Sequence, residues 1–283
     1  RPYPQFGTII SLWSPLGKTW YDSLQVKINK RFSHGLSMTS VYTWQRQLAT
    51  APDIAPTAAT TGGQVTNDVF NRANQKYLSG FDQPQIFNIS LNYTVPAWKS
   101  GKGLALKTAS WVLRDWTLGT FLNYSSGLPI AAPAAQNQLA TLLFRGTFAN
   151  RVAGQPLFSQ DLNCHCFDPN KDFVLNPSAW SQPAAGQWGT SAAYYNDYRF
   201  QRRPSENMAF GRTFRVKERA TLNVRLEFNN IFNRTYMVNP VSANSQATQT
   251  VTNGKTSAGF GWINTASVLN PPRNGTLVAR FQF

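Results

Sequence analysis

The chain has 283 residues, of which 14% are charged and 13% aromatic, and its formal net charge is +15. No stretch approaches the roughly 20 apolar residues of a membrane-spanning helix, which excludes a helical membrane protein. If the chain meets a membrane, it does so through strands. It begins at Arg1 with no signal segment before the fold, so we expect that processing or truncation removed the true start.

Strict alternation of apolar and polar residues recurs about seven times and predicts seven β-strands. The clearest strand is Phe87 to Val95, in which odd-numbered positions are apolar and even-numbered positions are polar. The register therefore predicts that Ile89 and Leu91 share one face of a sheet and Asn88 and Ser90 the other. The remaining six strands are Trp20 to Phe32, Leu36 to Trp44, Trp116 to Tyr124, Met208 to Val216, Ala220 to Phe228 and Gly275 to Phe283.

Short and long connections alternate between these strands. The short ones are Ser33 to Gly35 and Lys217 to Arg219, and Pro96 to Gly103 is intermediate. The long ones span roughly 40 residues from Gln45, roughly 80 from Ser126 and roughly 45 from Asn229, measured from the end of each alternation. Compact soluble domains seldom contain structureless loops of that length. The pattern is typical of an outer-membrane barrel, with short periplasmic turns and long extracellular loops.

Aromatic side chains gather near the predicted strand ends. Trp20 and Trp44 lie toward the long loops, and Phe32, Trp116 and Phe214 lie near the short turns. Amphipathic rings are stabilised between lipid and water, so these residues predict two interfacial girdles. Ordinary core aromatics are the alternative interpretation.

Five segments form a further pattern, and they follow one another along nearly the whole chain. They are Tyr21 to Trp44 (YDSLQVKINKRFSHGLSMTSVYTW), Gly80 to Pro96, Asp115 to Ile130, Phe210 to Pro240 and Pro271 to Phe283. Together they resemble the carboxyl-terminal part of the barrel of a TonB-dependent outer-membrane receptor, in particular the Oar-like group. Each segment alone is a weak signal, because strand sequences tolerate many substitutions.

The resemblance implies an all-β fold, namely an antiparallel transmembrane barrel of about 22 strands around a plug. About seven strands cannot close such a barrel. We therefore expect residues 1–283 to be one domain, the carboxyl-terminal part of the barrel, with the plug and the amino-terminal domains absent. The implied activity is energised uptake of a scarce solute across the outer membrane of a Gram-negative (diderm) bacterium.

The resemblance also implies the partners of the chain. These are outer-membrane lipid, the plug, the TonB energy-coupling complex acting through that plug, and the barrel assembly machinery. The assembly machinery is expected to read the aromatic ending, Phe281 and Phe283. An apolar strand edge is exposed only until the barrel closes, so a signal there is read before closure.

Charged residues on the polar faces of the predicted strands are the candidate lumen residues. They are Lys27, Arg31, Arg225, Glu227 and Arg280. They fit pairing within the lumen or with a plug, and direct contact with an anionic solute is the alternative. The positive charge also permits nucleic-acid binding, but its placement along strand faces favours the lumen, so we expect no nucleic-acid partner.

Cys164 and Cys166 flank His165 in the longest loop. Zinc sites usually space their cysteines by two to four residues and need four ligands, so this is a poor metal signature. Cysteines one residue apart close only a small, strained ring, yet the outside of the cell is oxidising. A loop disulfide is therefore favoured over a metal contact.

No catalytic constellation is visible, and we expect neither enzymatic activity nor a cofactor. His34 falls in a tight turn. Asp161, Asp168 and Asp172 lack the dense ligand spacing of a calcium loop, so solvated loop acids are favoured over a calcium site. Two alternatives to uptake stay open: a structural or adhesive outer-membrane barrel, and a soluble basic β-protein that binds nucleic acid. The sequence does not name the solute.

Overall fold

The computed structural model describes residues 17–50, 71, 75–96, 104–137, 146–164, 166–217 and 220–283. The strands in chain order are β1 (Thr19–Ser33), β2 (Leu36–Ala49), β3 (Tyr77–Leu78), β4 (Gln85–Thr94), β5 (Trp116–Ser125), β6 (Pro129–Ala131), β7 (Asn150–Arg151), β8 (Trp180–Ser181), β9 (Tyr194–Arg199), β10 (Ser205–Lys217), β11 (Ala220–Asn229), β12 (Thr250–Thr252), β13 (Lys255–Ala258) and β14 (Asn274–Gln282). The helices are α1 (Leu104–Leu113) and a short 3₁₀ turn, Pro177–Ala179.

Seven long strands form one antiparallel sheet in the order β1-β2-β4-β5-β10-β11-β14. We call this sheet the wall. These are the seven strands that the alternation predicts, and the all-β antiparallel fold is confirmed. Each long strand pairs with its neighbours in the sequence of long strands, which is the simplest up-and-down connectivity. No helix among the described residues is long and apolar enough to cross a membrane.

In the wall, most apolar residues lie opposite apolar residues of the neighbouring strands. Phe87 lies opposite Tyr42 on one side and Tyr124 on the other, whereas Asn88 lies opposite Asn123. Because side chains alternate with a period of two, the sheet has one largely apolar face and one largely polar face. No second layer formed by the described residues covers the apolar face. Several of its side chains are more than half exposed, namely Leu24, Ile28, Trp44, Leu277 and Phe281.

The turn between β1 and β2 shows why the short connection works. His34 and Gly35 both have positive φ, at 52° and 80°, as a two-residue hairpin of type I′ requires. A Cβ at Gly35 would stand 2.1 Å from the carbonyl oxygen of Thr94, so only glycine fits there. The predicted turn is confirmed, and we call this end of the wall the turn end.

The connection between β4 and β5 differs from the prediction, because it contains α1. The segment LALKTASWVL is rich in strong helix formers, and its apolar residues do not alternate with a period of two. The helix ends before Asp115, whose φ is 62°. Trp111 and Val112 are exposed at its carboxyl end. Residues 97–103, which hold most of the predicted connection, lie outside the described residues.

Arg212 joins α1 to the wall. It interrupts the apolar face of β10, and its guanidinium lies 4.7 Å from the ring centroids of Trp111 and Phe214. The guanidinium also donates to the carbonyl oxygen of Trp111. Stacking and this hydrogen bond offset part of the cost of a charge on an apolar face, although the Nε of Arg212 is buried without a hydrogen-bond partner among the described residues.

At the opposite end, which we call the loop end, the long connections fold together. The described parts of these long loops contain short strands of their own. The second connection holds β6, β7, β8 and β9, and the third holds β12 and β13. The first strand pair also extends further than predicted, since β2 runs past Trp44 to Ala49. Most of the predicted loop Ala49 to Thr66 lies outside the described residues.

These connections enclose a hydrophobic core, and we call the whole unit the cap. Ile130, Val174 and Tyr198 come from the second connection and Phe260 from the third, and each is completely buried. Tyr77 and Leu78 of the first connection belong to the same cluster. Burial of such side chains contributes about 1.5–3 kcal/mol each. The cap is therefore held together in the way that a small globular domain is.

Candidate functional site

The predicted lumen residues fall into two separate groups. Arg225 and Glu227 form an ion pair of 2.5 Å on β11, and Arg280 of β14 lies opposite Asn223, two residues from Arg225 along the same face. Both partners of the ion pair are about half exposed, so the pair contributes little to stability.

Lys27 and Arg31 lie on β1, at the other edge of the wall. Lys27 pairs with Val41 on the polar face. Arg31 falls within the register shift between Lys30 and Ser33, where strict alternation ends. Four strands separate β1 from β11, a width of about 24 Å at roughly 4.8 Å per strand. The structure thus places Arg225, Glu227 and Arg280 on the same face of two adjacent strands and leaves Lys27 and Arg31 at the far edge of the wall.

Cys164 and Cys166 form a disulfide with Cα atoms 5.1 Å apart. The sulfur of Cys164 also approaches the carbonyl oxygen of Asp161, so the small ring sits in a tight turn of the cap. His165 between them lies outside the described residues. This arrangement is the loop disulfide that the sequence favours, and its state in the cell stays a prediction.

The three loop acids act within turns. Asp161 accepts from the backbone N–H of Asn163 at 2.8 Å, and Asp172 accepts from that of Asp168 at 2.9 Å. The backbone N–H of Asn170 lowers the pKa of the Asp168 carboxyl group. Within the described ranges, no group of three or more histidine, cysteine or acidic side chains could hold a metal ion.

The aromatic ending is accessible at the edge of the wall. Phe281 lies opposite Leu222 on the apolar face, and Phe283 follows β14 and is 99% exposed. The two rings are 6.1 Å apart. Recognition of these residues by an assembly machinery stays a prediction.

A buried ion pair connects the first two long loops of the cap. Arg199 of β9 lies 2.6 Å from the carboxylate of Asp82, whose side chain is 1% exposed. Arg199 also donates to the carbonyl oxygens of Asp82, Gly127 and Asn196. The second oxygen of Asp82 accepts from the backbone N–H of Gln47. Both charges are thus fully hydrogen-bonded, which makes their burial tolerable.

A second buried carboxylate lies where the third long loop leaves the wall. Glu206 is on the apolar face of β10 and is 1% exposed. It accepts from Arg234 at 2.7 Å and from the hydroxyl of Tyr124 at 3.1 Å, and the bond with Glu206 raises the pKa of Arg234. Tyr236 donates to the carbonyl oxygen of Pro204, and burial, reinforced by Glu206, raises the pKa of Tyr236 to about 12.

Two clefts open at the junction of the wall and the cap. The first, of about 680 Å³, lies over the apolar face and is lined by Tyr42, Phe87, Arg202 and Arg234, among others. The second, of about 600 Å³, lies on the cap side and is lined by residues of the second connection, among them Asn163, Asp197 and Arg199. Arg202 borders both clefts. Such clefts can bind a small polar or amphipathic ligand.

Sequence reasoning missed Asp82, Arg199, Glu206 and Arg234. Glu206 and Arg212 occupy apolar-face positions of β10, so a charge that breaks the alternation is the signal that could have found them. No comparable signal marks Asp82 and Arg199, because they are far apart in the sequence and lie in loops.

Comparison with known families gives a match over most of the chain. A family model described as an outer membrane beta barrel domain matches residues 1–275, which include most of the wall and the whole cap. None of the curated proteins compared with the chain matches it.

Proposed function

Because the chain belongs to the outer membrane beta barrel domain family, we propose that it is the carboxyl-terminal barrel portion of a TonB-dependent receptor of the Oar-like group. The family places it in the outer membrane of a Gram-negative bacterium. In this proposal the wall contributes strands to a wide barrel, and the cap receives a scarce solute on the cell exterior. Energy reaches the barrel through a plug and the TonB complex.

The open wall is the observation that carries the proposal. Within the described strands, β1 and β14 each have a single pairing partner. A barrel of eight strands is only just wide enough for its own side chains. A wall of seven strands with a polar inner face therefore needs further strands before it can enclose a solute path, as the resemblance to a plugged barrel of about 22 strands implies.

The two faces of the wall support a wide, water-facing lumen. The apolar face meets lipid, which explains why Leu24 and Leu277 are exposed without a covering layer. The polar face holds Arg225, Glu227 and Arg280, which suits contact with a plug surface or an anionic solute. The charge balance alone does not choose between these two partners.

The orientation follows from the connections. Barrels of the outer membrane have short periplasmic turns and longer extracellular loops. The cap, formed by the long connections, is therefore proposed to lie outside the cell, and the turn end in the periplasm. The oxidising exterior suits the disulfide of Cys164 and Cys166.

We propose a transport role and not a catalytic one, and barrels of this family are typically not enzymes. A structural or adhesive barrel is the second candidate, because a cap with its own buried core offers a rigid surface for binding. Membership of an outer-membrane family argues against the soluble alternative.

The test uses the complete protein to which this chain contributes, purified in detergent. We expect it to bind the periplasmic domain of TonB and to pass almost no ion current in planar bilayers, since a plug fills the lumen. The matched control lacks the plug that the proposal places before Arg1, and it should conduct but no longer bind TonB. A complete protein that conducts freely and ignores TonB would contradict uptake and favour the second candidate.

A further inference from the structure

The first cleft lies at the outer boundary of the lipid-facing surface. Phe87 and Tyr124 are on the same face as Ile89 and Leu91. β4 and β5 each contain ten residues, about the length with which a tilted strand crosses the hydrocarbon region. The cleft adjoins the loop ends of both strands, so it lies at the level of the lipid headgroups.

The lining of the cleft has two chemical halves. Tyr42 and Phe87 form an aromatic floor continuous with the apolar face of the wall. Among the described residues that line the cleft, Arg202 and Arg234 are the only charged ones, and none carries a carboxylate. The nearby Glu206 is 1% exposed and already bonded to Arg234, so it presents little negative charge to a ligand.

The guanidinium groups retain donors for a ligand. Among the described residues, the side chain of Arg202 donates through Nε to Asn163, at 3.4 Å. Arg234 uses Nε for Glu206, and 48% of its side chain is exposed. Terminal guanidinium nitrogens form a planar fork that matches the oxygens of a phosphate group.

Gln201 provides a second, independent sign of a ligand. It lines the same cleft and is 8% exposed, and its Oε1 has no hydrogen-bond partner among the described residues. Since buried polar atoms are nearly always satisfied, such an atom calls for a partner that enters the cleft. The amide can present either its oxygen or its nitrogen to that partner.

We propose that this cleft binds a phosphate-bearing lipid of the outer leaflet. The phosphate lies against Arg202 and Arg234, a polar headgroup atom reaches Gln201, and an acyl chain runs over Phe87 and down the apolar face. A cleft of about 680 Å³ holds a headgroup but not a whole lipid, which agrees with chains that lie outside it. The proposal rests on the lipid-facing wall and on the proposed extracellular position of the cap, and it is independent of TonB-dependent uptake.

The test measures lipid binding to the complete barrel in detergent by native mass spectrometry. The probe is lipid A with two phosphates, and the reference is the same lipid without phosphates. Charge-assisted hydrogen bonds are among the stronger ones, so we expect Arg202→Gln to weaken binding about tenfold or more. The dephosphorylated lipid should bind the unmodified barrel and the Arg202→Gln variant equally weakly.

The matched control is Arg203→Gln. Arg203 neighbours Arg202 in the chain and has the same charge, but it does not line the cleft and bonds Asn239 instead. We expect it to change lipid affinity by less than about twofold. Equal losses in the two variants would mean diffuse surface attraction and would overturn the proposal.

Two further arms complete the design. In the first, inorganic phosphate is added at millimolar concentration. If it abolishes lipid binding, the cleft binds a free anion and the lipid proposal fails. A folded barrel changes its mobility in gel electrophoresis when it is heated. If Arg202→Gln no longer shows this change, it has not folded, and Phe232→Ser is used as the test variant instead. Phe232 lines the cleft and is 56% exposed, so its loss should weaken lipid binding several-fold without affecting folding. Unchanged affinity in that variant would overturn the proposal.

Discussion

The wall and the cap are built on opposite physical principles. With the exception of Glu206, the completely buried large side chains lie in the cap or beside it, such as Ile130, Leu175, Tyr198 and Phe260. The wall has backbone hydrogen bonds between all its strands, but its described residues form no side-chain core. The cap is therefore stabilised by its own burial, whereas the wall depends on lipid and on the strands that complete the barrel.

Charged residues follow the same division. In the cap, Asp82 and Arg199 are enclosed by protein and connect different loops. On the apolar face of the wall, Glu206 lies at the loop end, where Tyr124 donates to it, and Arg212 lies at the turn end, where it stacks on Trp111. The middle of the apolar face is left to uncharged residues, as expected where lipid gives no compensation for a charge.

The largest effect is expected from breaking the buried pair of the cap. Asp82→Ala leaves the Arg199 guanidinium, 13% exposed, without its carboxylate. Removing one partner of a buried pair typically costs about 3–5 kcal/mol. We expect the free energy of opening the cap to fall by that amount. Protease added to intact cells should then cut faster between Ser126 and Ser205.

The matched control is Asp197→Ala. Asp197 pairs with Arg151 at 2.6 Å, but its side chain is 60% exposed, so the expected cost is under about 1 kcal/mol. If the two variants are digested at the same rate, the cap is not held together by the Asp82 pair. Cleavage at the turn end with protection of the cap would reverse the proposed orientation.

The wall should be sensitive to charge on one face only. Leu91→Arg places a cation on the apolar face near mid-bilayer, which should lower the free energy of unfolding by about 2–4 kcal/mol. Ser90→Arg, one residue earlier on the polar face, should change it by less than about 0.5 kcal/mol. Urea titration of the complete barrel in lipid vesicles measures both, and equal losses would be incompatible with a lipid-facing Leu91.

The smallest effect is expected at the polar face of the wall. Arg225→Gln removes an ion pair with Glu227 whose side chains are 48% and 42% exposed. Solvent screening limits the loss to about 0–1 kcal/mol. A double-mutant cycle with Glu227→Gln in the same titration checks this, and a coupling well above about 1 kcal/mol would show that the pair is buried in the complete barrel.

The sequence alone predicts the wall well, for a clear physical reason. A strand between lipid and water must alternate, and Phe87 to Val95 does so without a break. The helix α1 was missed because its apolar residues have no period of two, and its position depends on Arg212, about 100 residues later. Within an alternating strand, a charge such as Arg212 is only a break in the pattern, because its aromatic partners are not visible in the sequence.

The cap could not be predicted in the same way. Its core combines residues of three connections, such as Leu78, Tyr198 and Phe260, whose spacing in the sequence has no period. The Asp82 to Arg199 pair joins residues 117 positions apart. Of the candidate site residues, the sequence predicted that Arg225, Glu227 and Arg280 lie on the polar faces of their strands. The clefts could not be predicted, because they arise only when the loops fold.

The most direct test of this account is a scan of β4 in the complete barrel in a bilayer. Single cysteines replace residues 88–93 in turn, and a label that reacts only from the lipid phase is added. We predict labelling at Ile89, Leu91 and Tyr93 and little labelling at the three even-numbered positions, because side-chain direction alternates. Equal labelling of both sets, or labelling of the even-numbered set, would contradict a wall with one lipid face and one lumen face.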